Sequence, residues 1–115
     1  MRALVLRNAT QEIHIAGAVA RASNALTRGI GLLGRGRVTS DEGLWIDNCA
    51  AVHTLGMRAS LDLYFLDREQ RVVRIVRNVR PNRLGVACRG AVSVVELGAA
   101  TEDRRIAIGD RLELT

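Results

Sequence analysis

The chain has 115 residues, 48% of them apolar, which fits a single globular domain. A domain of this size buries roughly 60–70% of the surface its unfolded chain exposes, so it needs no disulfide or metal to fold. Its 17 basic residues outnumber 12 acidic ones, and every basic residue is Arg, with no Lys anywhere. Guanidinium groups suit phosphate and nucleic acid. A chain-wide lack of Lys, however, reads as the codon usage of a GC-rich genome. Three aromatics (Trp45, Tyr64, Phe65) are also too few for a base-stacking surface, so nucleic acid is disfavoured as a partner. No apolar run approaches the ~20 residues of a membrane span. The stretch from Met1 to Asn8 is too short in apolar residues for a signal peptide. The expectation is a cytoplasmic protein with no membrane association.

In chain order, Ala3 to Leu6 reads as a buried strand, and Glu12 to Ile15 as a half-buried one by its alternation. The two can form a hairpin across Arg7 to Gln11, with Asn8 as the turn residue and His14 on the solvated side. Ala16 to Leu33 is rich in Ala and Leu. Leu26, Ile30 and Leu33 share one helical face, and Ser23 or Asn24 can cap it, which predicts a helix over about residues 23–33, ended by Gly34 or Gly36. Val38 to Gly43 reads as a loop and Leu44 to Ile46 as a strand. Asp47-Asn48 is a turn, and Cys49 to Thr54 another short strand. Leu61 to Leu66 is the clearest strand in the chain, followed by a hairpin turn over Asp67 to Gln70.

Val72 to Val79 fits either period, because Arg71, Arg74, Arg77, Arg80 and Arg83 recur every third residue. Its many β-branched residues and the preceding turn decide for a strand with Arg on both faces. Arg80 to Gly90 reads as a loop, Ala91 to Leu97 as a strand, and Ala99 to Arg105 as a helical turn capped by Thr101. Ile108 to Asp110 reads as a turn and Arg111 to Leu114 as a last strand. Cys49 and Cys88 lack the spacing of a zinc site; they could form a redox pair, though two packed structural thiols are the commoner outcome.

Several segments recur in a telling order: Arg28-Gly29-Ile30-Gly31-Leu32-Leu33-Gly34-Arg35, then Asp41-Glu42-Gly43-Leu44-Trp45-Ile46, then Val52-His53-Thr54-Leu55-Gly56-Met57 and Leu61-Asp62-Leu63-Tyr64-Phe65-Leu66-Asp67. Val94-Val95-Glu96-Leu97 and Ile108-Gly109-Asp110 close the series. This order, over residues 20–115, resembles the family called domain of unknown function 192. The chain departs from the family pattern at His53 to Met57, which lacks the usual Trp and Lys, and at Ser60, which replaces a Pro. It departs again at Gln70, where the family often has Gly. The resemblance implies a compact β-rich fold with one main helix, and no particular activity or cofactor.

The polar residues between strands are the candidate site. Asp62 sits in an apolar strand, where it can face a cleft, accept loop N–H bonds, or pair with an Arg such as Arg58. Glu96 interrupts a second apolar run and faces away from Val95 and Leu97. His53 and Cys49 share a strand face, but no nucleophile elbow accompanies them. Trp45 reads as core or pocket wall. The fold expected is α+β: a predominantly antiparallel curved sheet or small barrel with one main helix. The function expected is a non-enzymatic binding or accessory module for a small molecule or protein partner. Its shallow polar cleft would be lined by His53, Thr54, Arg58, Asp62 and Glu96. The alternative is a small hydrolase or transferase using Asp62, His53 and Glu96, whose side chains would then have to converge.

Overall fold

The computed structural model describes residues 3–22, 38–52, 59–83 and 85–115, which form nine strands. They are β1 (Leu4–Asn8), β2 (Ile13–Ala22), β3 (Glu42–Asp47), β4 (Ala51–Val52), β5 (Leu61–Leu66), β6 (Val72–Val79), β7 (Val86–Ala87), β8 (Ser93–Gly98) and β9 (Leu112–Leu114). Seven of them make one sheet in the order β6-β5-β8-β3-β2-β1-β9, and β4 and β7 pair separately. A bridge between Arg71 and Arg111 joins the two outer strands of the large sheet. Backbone bonds from Val72 N–H to the Asp110 carbonyl and from Leu112 N–H to that of Gln70 run beside it, so the sheet curls into a barrel.

The barrel has two apolar faces, set by the alternation of side chains along each strand. The inner one gathers Leu6, Val19, Trp45, Tyr64, Leu66, Val95, Leu97 and Leu112. The outer one, under β4 and β7, gathers Leu44, Ile46, Val52, Leu61, Leu63, Phe65, Val86 and Val94. β5 and β8 are buried along their whole length because each face is covered. The near-continuous apolar runs of these two strands have this cause.

The expected α+β class is corrected here. The described residues contain no helix, and β2 pairs with β3 in parallel, so the sheet is mixed. The helix expected over residues 23–33 lies outside the described residues. The Ala- and Gly-rich residues from Ala16 to Ala22 continue β2 as a strand. Ala16, Val19 and Ala22 are buried there, and β2 is flanked by β1 and β3, so tertiary pairing overrides a weak local preference. The helical turn expected over Ala99 to Arg105 is also absent. Its backbone groups are taken elsewhere: the Ala100 N–H donates to Asp62, and the Ala100 and Glu102 carbonyls accept from Arg77. Val72 to Val79 is a strand over its full length.

Close approach of backbone explains two glycines. A Cβ on Gly43 would collide with the Glu96 carbonyl, and one on Gly98 with that of Thr39. The turn at Asp67 to Gln70 is held by the Asp67 carboxylate, which accepts the N–H groups of Glu69 and Arg71 at 2.9 Å each. Gln70 sits there at φ 66°, in the left-handed region that disfavours a Cβ.

Asn8 and Asp110 fasten the first strand to the last loop. Both are buried, and the Asn8 amide donates to the Asp110 carboxylate at 2.9 Å. The Asn8 side-chain oxygen accepts the Thr10 and Gln11 N–H groups, so it also shapes the β1–β2 turn. Asp110 accepts further bonds from the Gln11 amide at 2.8 Å and the Ala107 N–H at 3.0 Å. These donors, the Asn8 amide first, hold its carboxyl below the usual carboxylate range, against burial that pushes it up.

Two predictions follow from these turns. Asp110→Asn puts an amide among three donors and is expected to cost about 1–3 kcal/mol at neutral pH. Because the folded carboxyl binds its proton more weakly than the unfolded one, its contribution is complete above the unfolded value near 4 and lost as pH falls through the folded value. Urea unfolding of both proteins should therefore show a gap at neutral pH that narrows as pH falls below the ordinary carboxylate value of about 4. Gln70→Gly relieves the left-handed Cβ and should raise stability by about 0.5–1 kcal/mol, read in the same assay.

Candidate functional site

The two carboxylates singled out in the sequence lie on adjacent strands but not on one face. β5 pairs with β8 so that Asp62 stands opposite Leu97 and Leu63 opposite Glu96. Opposed residues share a face. Asp62 therefore joins Tyr64 and Leu97 on the inner side, and Glu96 joins Leu44 and Leu63 on the outer side. Each is only 1% exposed. His53, Thr54 and Arg58 lie outside the described residues. On either side of them, Val52 and Leu61 place their side chains in the outer cluster, the face that carries Glu96.

Asp62 is saturated. Opposite it, β6 bulges: the register shifts between Leu61 and Leu63, and Asn78 takes a left-handed φ of 54°. The bulge frees the Asn78 N–H, which donates to Asp62 Oδ1 at 2.7 Å, while the Ala100 N–H donates to Oδ2 at 3.1 Å. Arg104 completes the set through Nη1 to Oδ2, and Arg77 approaches the same oxygen at 3.9 Å. The Arg104 side chain is 6% exposed. Its other donors go to the Gly98 and Ser40 carbonyls and, at 3.2 Å, to the Tyr64 hydroxyl. Burial pushes the Tyr64 hydroxyl above its ordinary value, with Arg104 pulling the other way. Among the described residues the main charged partner of Asp62 is thus Arg104, from a loop far along the chain.

A second polar group lies where β2 and β3 end. Arg21 and Trp45 are paired in the parallel register, and the Arg21 guanidinium lies 5.6 Å from the centre of the Trp45 ring. It grips Asp47 in two bonds, Nε to Oδ2 at 2.8 Å and Nη2 to Oδ1 at 2.9 Å, and the Trp45 indole N–H reaches Asp47 at 3.2 Å. Trp45 is core, 1% exposed, with Arg21 over it. The bond from Arg21 holds Asp47 below the usual carboxylate range, and the same bond raises Arg21. Both side chains are partly exposed, so the pair orders this end of the barrel more than it stabilises it. His14 is exposed, 3.9 Å from Asp41.

The arginine comb of β6 is distributed. Arg71 reaches the Gly109 carbonyl, Arg74 that of Ala87, and Arg77 those of Ala100 and Glu102. Arg71 and Arg77 tie β6 to two different loops, and Arg74 ties it to β7. Arg104 and the Arg21–Trp45–Asp47 group escaped sequence reasoning. The one available signal was that a carboxylate inside Leu61 to Leu66 requires a cation, and 17 arginines offer no means of choosing between them.

The family model for domain of unknown function 192, described as uncharacterized ACR, matches residues 5–114. The chain belongs to the domain of unknown function 192 family. No curated protein matches it. The fold of this family member is similar to two crystal structures. One is a candidate transcription regulator from Sinorhizobium meliloti 1021, with TM-score 0.78, 24% identity, and 96% of this chain and 91% of that one covered. The other is a protein of unknown function from Novosphingobium aromaticivorans DSM 12444, with TM-score 0.74, 19% identity, and 96% and 83% covered. At these identities the likeness is one of fold.

Removing Arg104 leaves the Asp62 charge buried without its main partner. Arg104→Met is expected to destabilise by about 3–5 kcal/mol, and Asp62→Leu with Arg104→Met by distinctly less, because the double change leaves no orphan charge. Denaturant titration of the single and double variants measures the difference.

Proposed function

We propose that this family member is a non-enzymatic binding or accessory module, whose ligand, a small molecule or a protein segment, is met by His53, Thr54 and Arg58. The observation that carries this reading is the β5–β8 register, with Asp62 and Glu96 on opposite sides of the sheet. A hydrolase or transferase built on Asp62, His53 and Glu96 needs these groups to converge on one reacting atom. Asp62, moreover, has its oxygens engaged by two backbone N–H groups and Arg104, so its role is to frame the barrel. Support for the 53–58 segment comes from its side chains, an imidazole, a hydroxyl and a guanidinium within six residues that follow directly on β4 in the sequence.

The test is a thermal-shift screen of the full chain against metabolite-like compounds and peptides, followed by affinity measurement. At a ligand concentration of about 100 Kd the folded state should gain about 2.7 kcal/mol. His53→Ala, Thr54→Val and Arg58→Ala are expected to weaken a true hit tenfold or more, while Glu69→Ala in the exposed β5–β6 turn leaves it unchanged. Hits that all three variants bind as well as the wild type, or that the protein converts to product by mass spectrometry, would overturn the reading.

A further inference from the structure

Cys49 and Cys88 have no part in the site above, yet the fold brings them together. β4 and β7 pair Ala51 with Ala87 and Val52 with Val86. The ladder runs one step further, because the Cys88 N–H donates to the Ala50 carbonyl at 2.9 Å. Cys88 therefore stands opposite the residue next to Cys49. Directly opposed residues in such a ladder have Cα atoms about 4.5–5.5 Å apart, which puts the two cysteine Cα atoms on the order of 6 Å apart. A disulfide spans Cα separations of about 4.4–6.8 Å.

Both side chains also pack on the same apolar cluster, Cys49 within it and Cys88 against it. Strict alternation would place Cys49 beside the exposed Ala51. Instead Asn48, at φ 53°, turns the chain just before it, and Cys49 is buried. Neither thiol is held by a strong bond. Cys49 Sγ lies 3.1 Å from the Ala51 carbonyl and Cys88 Sγ 3.8 Å from that of Arg89, both weak S–H contacts that a side-chain rotation breaks. Cys88 is partly exposed and so open to a soluble oxidant.

We propose that Cys49 and Cys88 are a redox pair that closes into an intramolecular disulfide on meeting a small-molecule disulfide, tying β4 to β7. The Cys88 thiolate attacks one sulfur of oxidised glutathione, and one glutathione leaves as thiolate. The Cys49 thiolate then attacks the Cys88 sulfur of the mixed disulfide and expels the second glutathione. Two electrons pass from the cysteines to the glutathione disulfide, and the two cysteine protons end on the two departing thiols. The cross-link fastens a two-stranded sheet only two residue pairs long, and β4 leads straight into His53. Oxidation thereby restrains the entrance to the 53–58 segment. That consequence rests on the function proposed above; the disulfide does not.

The full reduced chain, equilibrated with oxidised glutathione, should lose both titratable thiols together and the mass of two hydrogen atoms. A peptide map should join the segments carrying Cys49 and Cys88. Cys49→Ser should instead keep a stable glutathione adduct on Cys88. Thiols that stay titratable, a lasting glutathione adduct on the wild type, or a disulfide between two chains would overturn the pair. Hydrogen exchange separates the consequence: slower exchange at residues 50–54 in the oxidised form supports the restraint, and an intramolecular disulfide with unchanged exchange there overturns it alone.

Discussion

A carboxylate inside an apolar strand is the constraint on which one end of this barrel depends. Asp62 cannot be buried without partners, because stripping water from a charge costs more than any single contact returns. The chain supplies those partners from three places. β6 bulges at Asn78 to present an N–H, the loop after β8 bends to bring the Ala100 N–H, and Arg104 folds back from further along that loop. Arg104 then satisfies Gly98, Ser40 and Tyr64 with its remaining donors. A segment with no helix or strand of its own is held in place by the charge it neutralises. Among the described residues no buried side-chain polar atom lacks a partner.

What was legible in the sequence follows from how far each signal reaches. β5 and β6 run between the residues expected, because a Leu- and aromatic-rich run and a β-branched run joined by a turn are local information. Asn8 was legible as a turn former by its side chain, and the structure uses that oxygen for two turn N–H groups. Its amide end goes to Asp110, a residue that only tertiary structure brings near. The extent of β2 was hidden for a related reason. Ala16, Gly17, Ala18 and Ala20 have no strand preference of their own, and their conformation comes from pairing with β1 and β3 on either side. The burial of Asp62 and its need for donors could be reasoned from its neighbours. The choice of Arg104 could not, since nothing local distinguishes it from sixteen other arginines. The segment holding His53, Thr54 and Arg58 lies beyond the described residues, so of the candidate site only Asp62 and Glu96 can be set against geometry.

The lack of Lys has a structural counterpart in the way the arginines are used. A guanidinium offers five donors in a fixed plane, and a lysine ammonium offers three on a point. Arg71 and Arg77 reach backbone carbonyls of two different loops, Arg74 reaches one of β7, and Arg104 serves a carboxylate, a hydroxyl and two carbonyls at once. These are multidentate tasks that Lys would perform poorly. A codon preference explains why the residues are Arg; the geometry explains why that preference is useful where described loops such as residues 99–105 have no regular structure of their own. The same geometry removes the spacing of three along β6 as a sign of a binding face, because the side chains leave the strand in different directions.

The register of β5 against β8 divides the chemistry of the molecule. One step along the ladder separates Asp62 from Glu96, and that step places them on opposite sides of a closed sheet. The inner side is consumed by structure: Asp62, Arg104 and Tyr64 bond to one another and to loop backbone, and Trp45 donates to Asp47. The outer side is apolar around Glu96, through Leu44, Leu63 and Val94, and it is covered by β4 and β7, whose pairing is short. A cover held by two residue pairs can be tightened or loosened at small cost in a way that the seven-stranded barrel cannot. The charge network that holds one end of the barrel and the apolar cluster under β4 and β7 thus occupy different faces.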